Sequence, residues 1–290
     1  MPGQSRVEVC SRIEEVRGVV HQVRREGRVV ALVPTMGALH AGHLKLIEEA
    51  RSASDVVVVS IFVNPIQFGP TEDFRRYPRT WEADLELCRK GGAEVVFAPT
   101  VEVMYPAGSG STFVEVPELS DRLEGASRPG HFRGVATVVL KLFQIVGPDR
   151  AFFGSKDYQQ LQVIRRMVAD LDVPVEIRAV STVREPDGLA MSSRNRYLDA
   201  DQRRASVVLS RALAQAILTV EQGETDAERV RQILRLTIES EPLARLDYAE
   251  VAEAGTLDPI TRVGSGHPSV ALLAVKVGPA RLIDNALLPA

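Results

Sequence analysis

The chain has 290 residues, 45% of them hydrophobic and 25% charged, and its formal net charge is −3. This length fits one large domain or two ordinary ones, and it allows a buried core without disulfide or metal staples. The weakly acidic balance argues against a nucleic-acid or anionic-membrane role, because both usually show as an excess of Lys and Arg.

Targeting and redox signals are few. Cys10 and Cys88 are isolated, have no metal-binding spacing and are typical of a reducing compartment. The N-terminal residues alternate in charge and hold no apolar segment of signal-peptide length. No stretch approaches the roughly 20 apolar residues of a membrane span. We therefore expect a soluble, cytoplasmic protein without a membrane partner.

The first 184 residues alternate between strand and helix patterns. Apolar runs such as VVVVSIF are typical of strands buried on both faces of a parallel sheet. Such alternation predicts an α/β fold, a doubly wound, Rossmann-like parallel sheet whose ligands lie beyond the carboxyl ends of the strands. In chain order, we predict helix 11–26 with Ser11 as N-cap, strand 28–35, helix 44–53, strand 55–64, helix 81–90 capped by Thr80, strand 93–100, a short strand 112–117, helix 132–146, strand 150–154, helix 158–171 and strand 175–183.

The pattern changes after residue 184. Two long helices are predicted over 200–221 and 225–240, and strand patterns follow at 245–254 and 269–288. We expect a smaller C-terminal α/β domain over residues 185–290 beside a Rossmann-like domain over residues 1–184. A hinge is expected near the junction, with Gly188 as the candidate.

A pair of histidines lies in the segment PTMGALHAGH, directly after the first long strand. If a helix begins near Leu39, His40 and His43 lie one turn apart on one face. They would stand at a helix N-terminus, where backbone amides and the dipole favour an anion. Two imidazoles there can donate hydrogen bonds to phosphate oxygens. Two ordinary histidines remain an alternative, and so does a zinc site, although no third ligand accompanies them.

Three more polar clusters follow predicted strands. Taken singly, each is explained about as well by an ordinary loop or turn. Because the carboxyl ends of parallel strands meet at one rim of the sheet, the clusters together indicate a nucleotide beside a small polar molecule. They are FVNPIQF with Asn64 and Gln67, FGSKDYQQ with Gly154, Lys156 and Asp157, and MSSRNR with Ser192, Ser193 and Arg194 as an oxyanion clamp.

These motifs, with RPGHFRGVATVVLKLF at 128–143, closely resemble the pantoate–β-alanine ligase family of the H-x-G-H nucleotidylyltransferase superfamily. The resemblance covers most of residues 30–200 in the family's order and spacing. It implies a ligase of pantothenate biosynthesis, in the coenzyme A pathway, that joins pantoate to β-alanine with ATP and Mg²⁺. The implied intermediate is pantoyl adenylate, and AMP and pyrophosphate are released. The family usually forms homodimers.

The resemblance also implies residue roles, with His43 as proton donor and His40, Lys156 and Arg194 completing the catalytic set. The C-terminal domain is implied to close over the phosphates and to be associated with the dimer. No metal ligands are expected from the protein, because Mg²⁺ rides mainly on phosphates. The implied ATP-binding residues are Met36, Gly37, Ala38, Leu39, His40, Ala41, Gly42, His43, Gly154, Ser155, Lys156, Asp157, Val183, Met191, Ser192, Ser193 and Arg194. The implied substrate residues are Gln67 and Gln160 for pantoate, Asn64 nearby, and His131 and Arg133 on the β-alanine side.

Two positions depart from the family pattern, since Ser155 replaces a usual Glu and Gln144 a usual Asn. Two other functions compete with this one. Another adenylyl- or cytidylyltransferase of the superfamily would share the histidines and the clamp, but a nucleotide acceptor would need a larger, more cationic site than the paired glutamines offer. A non-catalytic nucleotide-binding regulator should lack one histidine or the Lys–Asp pair, and this chain keeps them all.

Overall fold

The structure is a computed structural model that describes residues 7–70, 72–106 and 112–289. The chain divides into two compact units. Unit 1 comprises Met1–Ser155 and Val163–Ser181, and unit 2 comprises Lys156–Gln162 and Thr182–Ala290. The roles expected for residues 1–184 and 185–290 as two domains stay predictions.

A six-stranded parallel sheet forms the centre of unit 1, in the order β1-β4-β3-β2-β5-β6. The predicted doubly wound parallel sheet is thereby confirmed. The strand order reverses between the neighbours β2 and β5, and the carboxyl ends of such a pair are where ligands bind in this architecture. The strands are β1 (Glu8–Cys10), β2 (Val30–Thr35), β3 (Val56–Ile61), β4 (Val95–Phe97), β5 (Arg150–Gly154) and β6 (Glu176–Val180).

Helices cover this sheet because each has one apolar face. Ile47 of α2, Leu85 of α3 and Val57 of β3 are buried in one core cluster, as expected for helices that pack against a sheet buried on both faces. The helices are α1 (Ile13–Arg25), α2 (Ala41–Ala53), α3 (Trp81–Gly91), α4 (Val101–Met104), α5 (Pro117–Ser120), α6 (Glu124–Ser127) and α7 (His131–Val146). Helix α8 (Tyr158–Asp170) begins in unit 2 and continues in unit 1.

Unit 2 contains a three-stranded antiparallel sheet in the order β7-β8-β9. Its apolar face shares a core cluster with helices, in which Leu209, Leu234 and Leu273 are fully buried. The elements are α9 (Ala200–Ala205), α10 (Val208–Glu221), α11 (Ala227–Glu239), β7 (Ala244–Glu253), β8 (Ser269–Val277) and β9 (Ala280–Leu288).

The start of α1 differs from the prediction, since Arg12 and not Ser11 is the N-cap residue. The carboxylate of Glu15 accepts the backbone N–H groups of both Ser11 and Arg12. The helix is therefore capped from its third residue, and it begins one position later than a Ser11 cap requires. Strand β1, which precedes it, is only three residues long and gave no periodic signal.

The short strand predicted at 112–117 is wrong. Residues 112–116 form no strand, and α5 begins at Pro117. The backbone N–H of Val114 donates to Thr137 Oγ1 on α7 and not to a neighbouring strand. The edge position beside β4 is taken by β1.

The single helix predicted over 200–221 is also wrong, because it is two helices separated at residues 206–207. The hydroxyl of Ser206 donates to the carbonyl of Gln202 at 2.7 Å. A serine that bonds back to the preceding turn in this way bends or interrupts a helix.

No helix in the described part of the chain is both long and apolar enough to cross a bilayer.

Candidate active site

The two histidines of H-x-G-H are held together at the carboxyl end of β2, in the segment 35–43, which we call the histidine loop. Helix α2 begins at Ala41, which is three residues before the predicted start at 44 and two residues after the Leu39 start assumed for the histidine pair, and His40 is its N-cap. The ring centroids of His40 and His43 lie 4.2 Å apart. The expected pairing of the two rings is therefore present.

Backbone hydrogen bonds fix which nitrogen of each ring carries hydrogen. His40 Nδ1 accepts from the backbone N–H of Gly42 at 3.2 Å, and His43 Nδ1 accepts from the backbone N–H of His40 at 3.3 Å. A neutral imidazole with an accepting Nδ1 carries its hydrogen on Nε2. Both rings can therefore act as Nε2–H donors.

The glycine between the histidines, Gly42, is required because the His40 ring lies close to its Cα. A Cβ at Gly42 would lie 2.9 Å from His40 Cε1 and 3.0 Å from His40 Nδ1. Without a side chain at this position, the His40 ring folds back over the helix start. Two of the amides there are engaged by His40: the Gly42 N–H donates to its ring and the His43 N–H donates to its backbone carbonyl. The expected use of the helix-start amides by an anion stays a prediction, and the two imidazoles add Nε2–H donors beside them.

Asp84 on α3 supports the histidine loop, and sequence reasoning missed it. Its carboxylate is 2% exposed and accepts the backbone N–H groups of Ala38 at 3.0 Å and Leu39 at 2.8 Å. Thr80 Oγ1 donates to the same carboxylate at 3.0 Å. Ala38 has φ +52°, a left-handed conformation that is costly for a residue with a Cβ. The two charge-assisted hydrogen bonds offset that cost and hold the loop. The sequence did hold one signal for this role, since Asp84 is an acidic residue on the apolar face of a helix.

Gln67, the residue expected to bind pantoate, belongs to a buried hydrogen-bonded group in unit 1. Its Oε1 accepts from Asn64 Nδ2 at 2.9 Å, and its Nε2 points to Met36 Sδ at 3.3 Å. Asn64 is 1% exposed, and its Oδ1 accepts from the Tyr105 hydroxyl at 2.9 Å. Burial raises the pKa of Tyr105, so the hydroxyl keeps the proton that it donates. Asn64 thus orients Gln67, and Gln67 reaches the histidine loop through Met36.

The residues expected on the β-alanine side differ in their surroundings. His131, the first residue of α7, makes ring hydrogen bonds to Arg128 and to the backbone carbonyl of Gln67. Arg133 is exposed; its guanidinium pairs with Glu115 and stacks 4.7 Å from the Phe113 ring centroid. The structure thus brings His131, but not Arg133, into hydrogen-bond contact with Gln67.

In unit 2, the Lys–Asp pair is anchored by the C-terminal sheet. Lys156 Nζ lies 3.6 Å from Asp157 Oδ1, and the Lys156 carbonyl accepts from Asn285 Nδ2 at 2.8 Å. Tyr158 OH donates to the carbonyl of Ala254. The last two contacts join the segment 156–162 to other residues of unit 2, to which it belongs. Gln160 is half-buried in the first turn of α8.

The predicted serine–arginine clamp is a single 3₁₀ turn, Ser193–Tyr197, that begins after Ser192. Ser192 Oγ accepts from Arg194 N–H at 3.3 Å. The backbone N–H of Met191 donates to the Val183 carbonyl, so these two residues, both expected to bind ATP, are neighbours. Asn195 Nδ2 ties the turn to Glu185 Oε1 at 2.8 Å, a support that the sequence did not reveal.

No group of three His, Cys, Asp or Glu side chains in the described residues is arranged to hold a metal ion.

A doubly wound parallel sheet with polar motifs at its switch point is the arrangement in which α/β proteins bind nucleotides. Comparison with known proteins narrows the class. The family model for pantoate-β-alanine ligase matches residues 8–287. The chain belongs to the pantoate-β-alanine ligase family.

Similar proteins support this membership along nearly the whole chain. The pantothenate synthetase of Pelotomaculum thermopropionicum is 54% identical over 280 residues, covering 97% of this chain and 98% of that protein. The pantothenate synthetase of Moorella thermoacetica is 53% identical over 282 residues, covering 97% and 99%.

Solved structures agree in fold. Pantothenate synthetase from Thermus thermophilus superposes with a TM-score of 0.92 at 45% identity, covering 98% of this chain and 100% of that one. Pantoate-β-alanine ligase from Francisella tularensis, described in complex with β,γ-ATP and β-alanine, gives 0.80 at 33% identity, covering 97% and 98%.

Proposed function

We propose that this chain joins pantoate to β-alanine with ATP, through pantoyl adenylate, and releases AMP and pyrophosphate. The observation that carries the proposal is the family match over residues 8–287. The paired Nε2–H donors at the carboxyl end of β2 suit this chemistry. The bound ATP and β-alanine of the Francisella relative belong to the same reaction.

In the first proposed step, a carboxylate oxygen of pantoate attacks the α-phosphorus of ATP. A P–O bond forms, and the bond from the α-phosphorus to the bridging oxygen breaks, releasing pyrophosphate. A carboxylate is ionised at neutral pH, so the step needs alignment and charge stabilisation rather than a general base. His43 donates from Nε2 to the departing oxygen, and His40 donates to the phosphates. Lys156 and Arg194 offset phosphate charge.

In the second proposed step, the β-alanine amine attacks the acyl carbon of the adenylate. A C–N bond forms, the bond to the AMP oxygen breaks, and the nitrogen gives up one proton to solvent. Gln67 and Gln160 hold the pantoyl oxygens in both steps, so that the acyl carbon keeps its position while the leaving group changes. His131 and Arg133 remain proposals for the β-alanine side.

The adenosine is proposed to bind through Gly154, Ser155, Asp157 and Val183. The phosphates are proposed to bind through residues 36–43 and 191–194.

Mg²⁺ is proposed as the cation that accompanies ATP. The described residues hold no carboxylate cage, which fits an ion held mainly by phosphate oxygens and water. When bound, it would neutralise charge on the pyrophosphate leaving group.

Exchange of labelled pyrophosphate into ATP tests the first step, and AMP release tests the complete reaction. We expect exchange with pantoate alone and rapid AMP formation only when both pantoate and β-alanine are present. ATP binding without exchange on any addition of pantoate would contradict the proposal. It would favour a nucleotidyltransferase with another acceptor.

We also propose a homodimer, as is usual in the family. Sedimentation equilibrium should give twice the chain mass of 31.7 kDa. A single species at the chain mass, across micromolar concentrations, would contradict it.

A further inference from the structure

The segment 128–134, RPGHFRG, lies against the 3₁₀ turn Pro65–Gln67 and contacts Gln67 from several directions. The proposed function leaves most of this motif unexplained. Its contacts are to the backbone of Gln67 as well as to the groups around its side chain. They lie entirely within unit 1.

The first contact is the hydrogen bond between the His131 ring and the Gln67 carbonyl, and the partner on the other side of the ring fixes its direction. Arg128 Nη1 lies 3.0 Å from His131 Nε2, and His131 Nδ1 lies 2.8 Å from the Gln67 carbonyl oxygen. A guanidinium can only donate, so His131 Nε2 accepts. The ring hydrogen of a neutral His131 is therefore on Nδ1, which donates to the Gln67 carbonyl. This tautomer is opposite to that of His40 and His43.

The second contact holds Arg128 itself. Its Nε and Nη2 each donate to one oxygen of Glu72 at 2.7 Å. The two side chains are only 19% and 23% exposed. A forked, partly buried pair of this kind has a fixed geometry and is stronger than an exposed ion pair. Glu72, Arg128 and His131 thus form a chain of directed hydrogen bonds that ends on Gln67.

The third contact is steric. A Cβ at Gly134 would lie 2.6 Å from the Ile66 carbonyl oxygen and 2.7 Å from Gln67 Cα. The Gly134 carbonyl accepts from Asn64 Nδ2, which also donates to Gln67 Oε1. The first turn of α7 therefore restricts Gln67 at its backbone and, through Asn64, at its side-chain amide.

We propose that Glu72, Arg128 and His131 are positioning residues that set the place of Gln67 in the pantoate site. They act through the Gln67 carbonyl rather than on the reacting atoms. The β-alanine-side role proposed above for His131 is separate and would show as a change in the KM for β-alanine. This inference rests on the proposed role of Gln67. It predicts that loss of any of these hydrogen bonds raises the KM for pantoate and leaves the KM for ATP unaltered.

Two substitutions of His131 separate the hydrogen bond from the rest of the ring. In His131→Asn the side-chain amide places an N–H donor near the position of Nδ1, whereas His131→Leu has no donor. We expect His131→Leu to raise the KM for pantoate about tenfold, the loss equivalent to one hydrogen bond. His131→Asn should recover most of that loss, and the KM for ATP should stay unchanged in both. His21→Leu, at an exposed histidine on α1, is the matched control.

A double-mutant cycle tests whether Arg128 acts through His131. Arg128→Met should raise the KM for pantoate by a similar factor, and Arg128→Met combined with His131→Leu should be no worse than the more damaged single variant. Arg89→Met, which breaks the exposed pair with Glu86, controls for the loss of an ion pair. If the two increases in KM multiplied in the double variant, the proposal that Arg128 acts through His131 would be overturned. That result would indicate that Arg128 binds pantoate directly.

Hydrogen–deuterium exchange of the peptide covering residues 62–70 gives a readout without turnover. We expect faster exchange in His131→Leu and nearly wild-type exchange in His131→Asn. Unchanged exchange and unchanged pantoate KM in His131→Leu, with an active wild type, would overturn the inference. A wild type without pantoate-dependent pyrophosphate exchange would instead contradict the proposed function, and faster peptide exchange in His131→Leu would then still support the structural role.

Discussion

Three histidines of unit 1 divide by tautomer, and the division follows from their hydrogen-bond partners. Backbone N–H groups donate to Nδ1 of His40 and His43, so each neutral ring carries hydrogen on Nε2. Arg128 donates to Nε2 of His131, which places that hydrogen on Nδ1. The first two rings can serve a bound anion, and the third serves the backbone of Gln67.

His43→Ala removes the proposed proton donor and also the Nδ1 acceptor of the His40 backbone N–H at the start of α2. We expect kcat for pantoate-dependent pyrophosphate exchange to fall by about 10²–10³, the usual effect of losing one transition-state hydrogen bond donor. The free energy of unfolding should fall only by about 0.5–1.5 kcal/mol, the usual net contribution of one hydrogen bond, since His43 is half-buried outside the core. An exchange rate within a few-fold of wild type would show that His43 is not the donor.

The low pKa of His131 predicts a pH-dependent stability. Burial, then the charge of Arg128, lower its pKa to about 4, against the hydrogen bond to Gln67 and the charges of Glu72 and Glu124. Between pH 6.5 and 4 the unfolded chain takes up a proton that the folded protein does not. The free energy of unfolding therefore falls as pH falls through this range.

Urea unfolding at pH 7 and pH 5 measures this effect. The wild type should lose about 1 to 2 kcal/mol more than His131→Asn between the two pH values. Carboxylates with lowered pKa values, such as Glu72, act only below about pH 4.5, so they do not obscure this interval. An identical pH dependence in both proteins would mean that His131 titrates normally in the fold.

At the scale of elements, two glycines in helices differ in what surrounds them. In α7, Gly134 lies against the backbone of Ile66 and Gln67, whereas in α1 the space around Gly18 is open to 4 Å. The same substitution therefore has opposite expected effects. Helix propensity favours Ala over Gly by roughly 0.5–1 kcal/mol where space allows.

Gly18→Ala should stabilise the protein by that amount, with unchanged activity. Gly134→Ala should destabilise it by about 1–3 kcal/mol, because the overlapping neighbours are backbone atoms that cannot change rotamer. Its KM for pantoate should rise as well. Denaturant unfolding and steady-state kinetics check both variants, and a stabilised Gly134→Ala would show that α7 and the 65–67 turn do not pack closely.

Helix α3 supports a loop 45 residues earlier in the chain, through Asp84. In Asp84→Asn only one side-chain oxygen remains to accept from the backbone N–H groups of Ala38 and Leu39. The new NH₂ group faces the second of these N–H groups, so two donors point at each other. We expect a loss of roughly 1–3 kcal/mol in unfolding free energy and a raised KM for ATP. Glu82→Gln, exposed on the same helix, is the control. Equal behaviour of the two variants would argue against a support role.

At the scale of the whole molecule, the final strand reaches back to a motif in the middle of the chain. Asn285 on β9 holds the carbonyl of Lys156, which is 129 residues away in sequence. Asn285→Ala should raise the KM for ATP about three- to tenfold, because it removes one hydrogen bond that positions the Lys156 backbone. Leu287→Ala, exposed on the same strand, should have no effect. An unchanged KM for ATP in Asn285→Ala would show that the Lys156 backbone needs no such anchor.

The sequence alone predicted the parallel sheet and most of its elements. Period and burial are local properties, and strands such as β2 and β3 carry continuous apolar runs that only a doubly covered sheet can bury. The motifs likewise indicated the family, because H-x-G-H and FVNPIQF are each a continuous stretch of residues that can be recognised without the fold. The errors fell where local signals were overruled. At Ser11 the Glu15 carboxylate decided the helix start, at 112–117 the Val114 N–H bonded to Thr137 instead of a strand, and at residue 206 a serine hydroxyl interrupted the helix.

Only the tertiary structure decided which side chains support the site. Asp84 and Ala38 are 46 positions apart, and His131 and Gln67 are 64 apart. Each contact joins a side chain to a distant backbone group, and such pairs leave no periodic trace in the sequence. They form because the fold buries those backbone groups, and a buried N–H or carbonyl needs a hydrogen-bond partner from whichever element packs beside it.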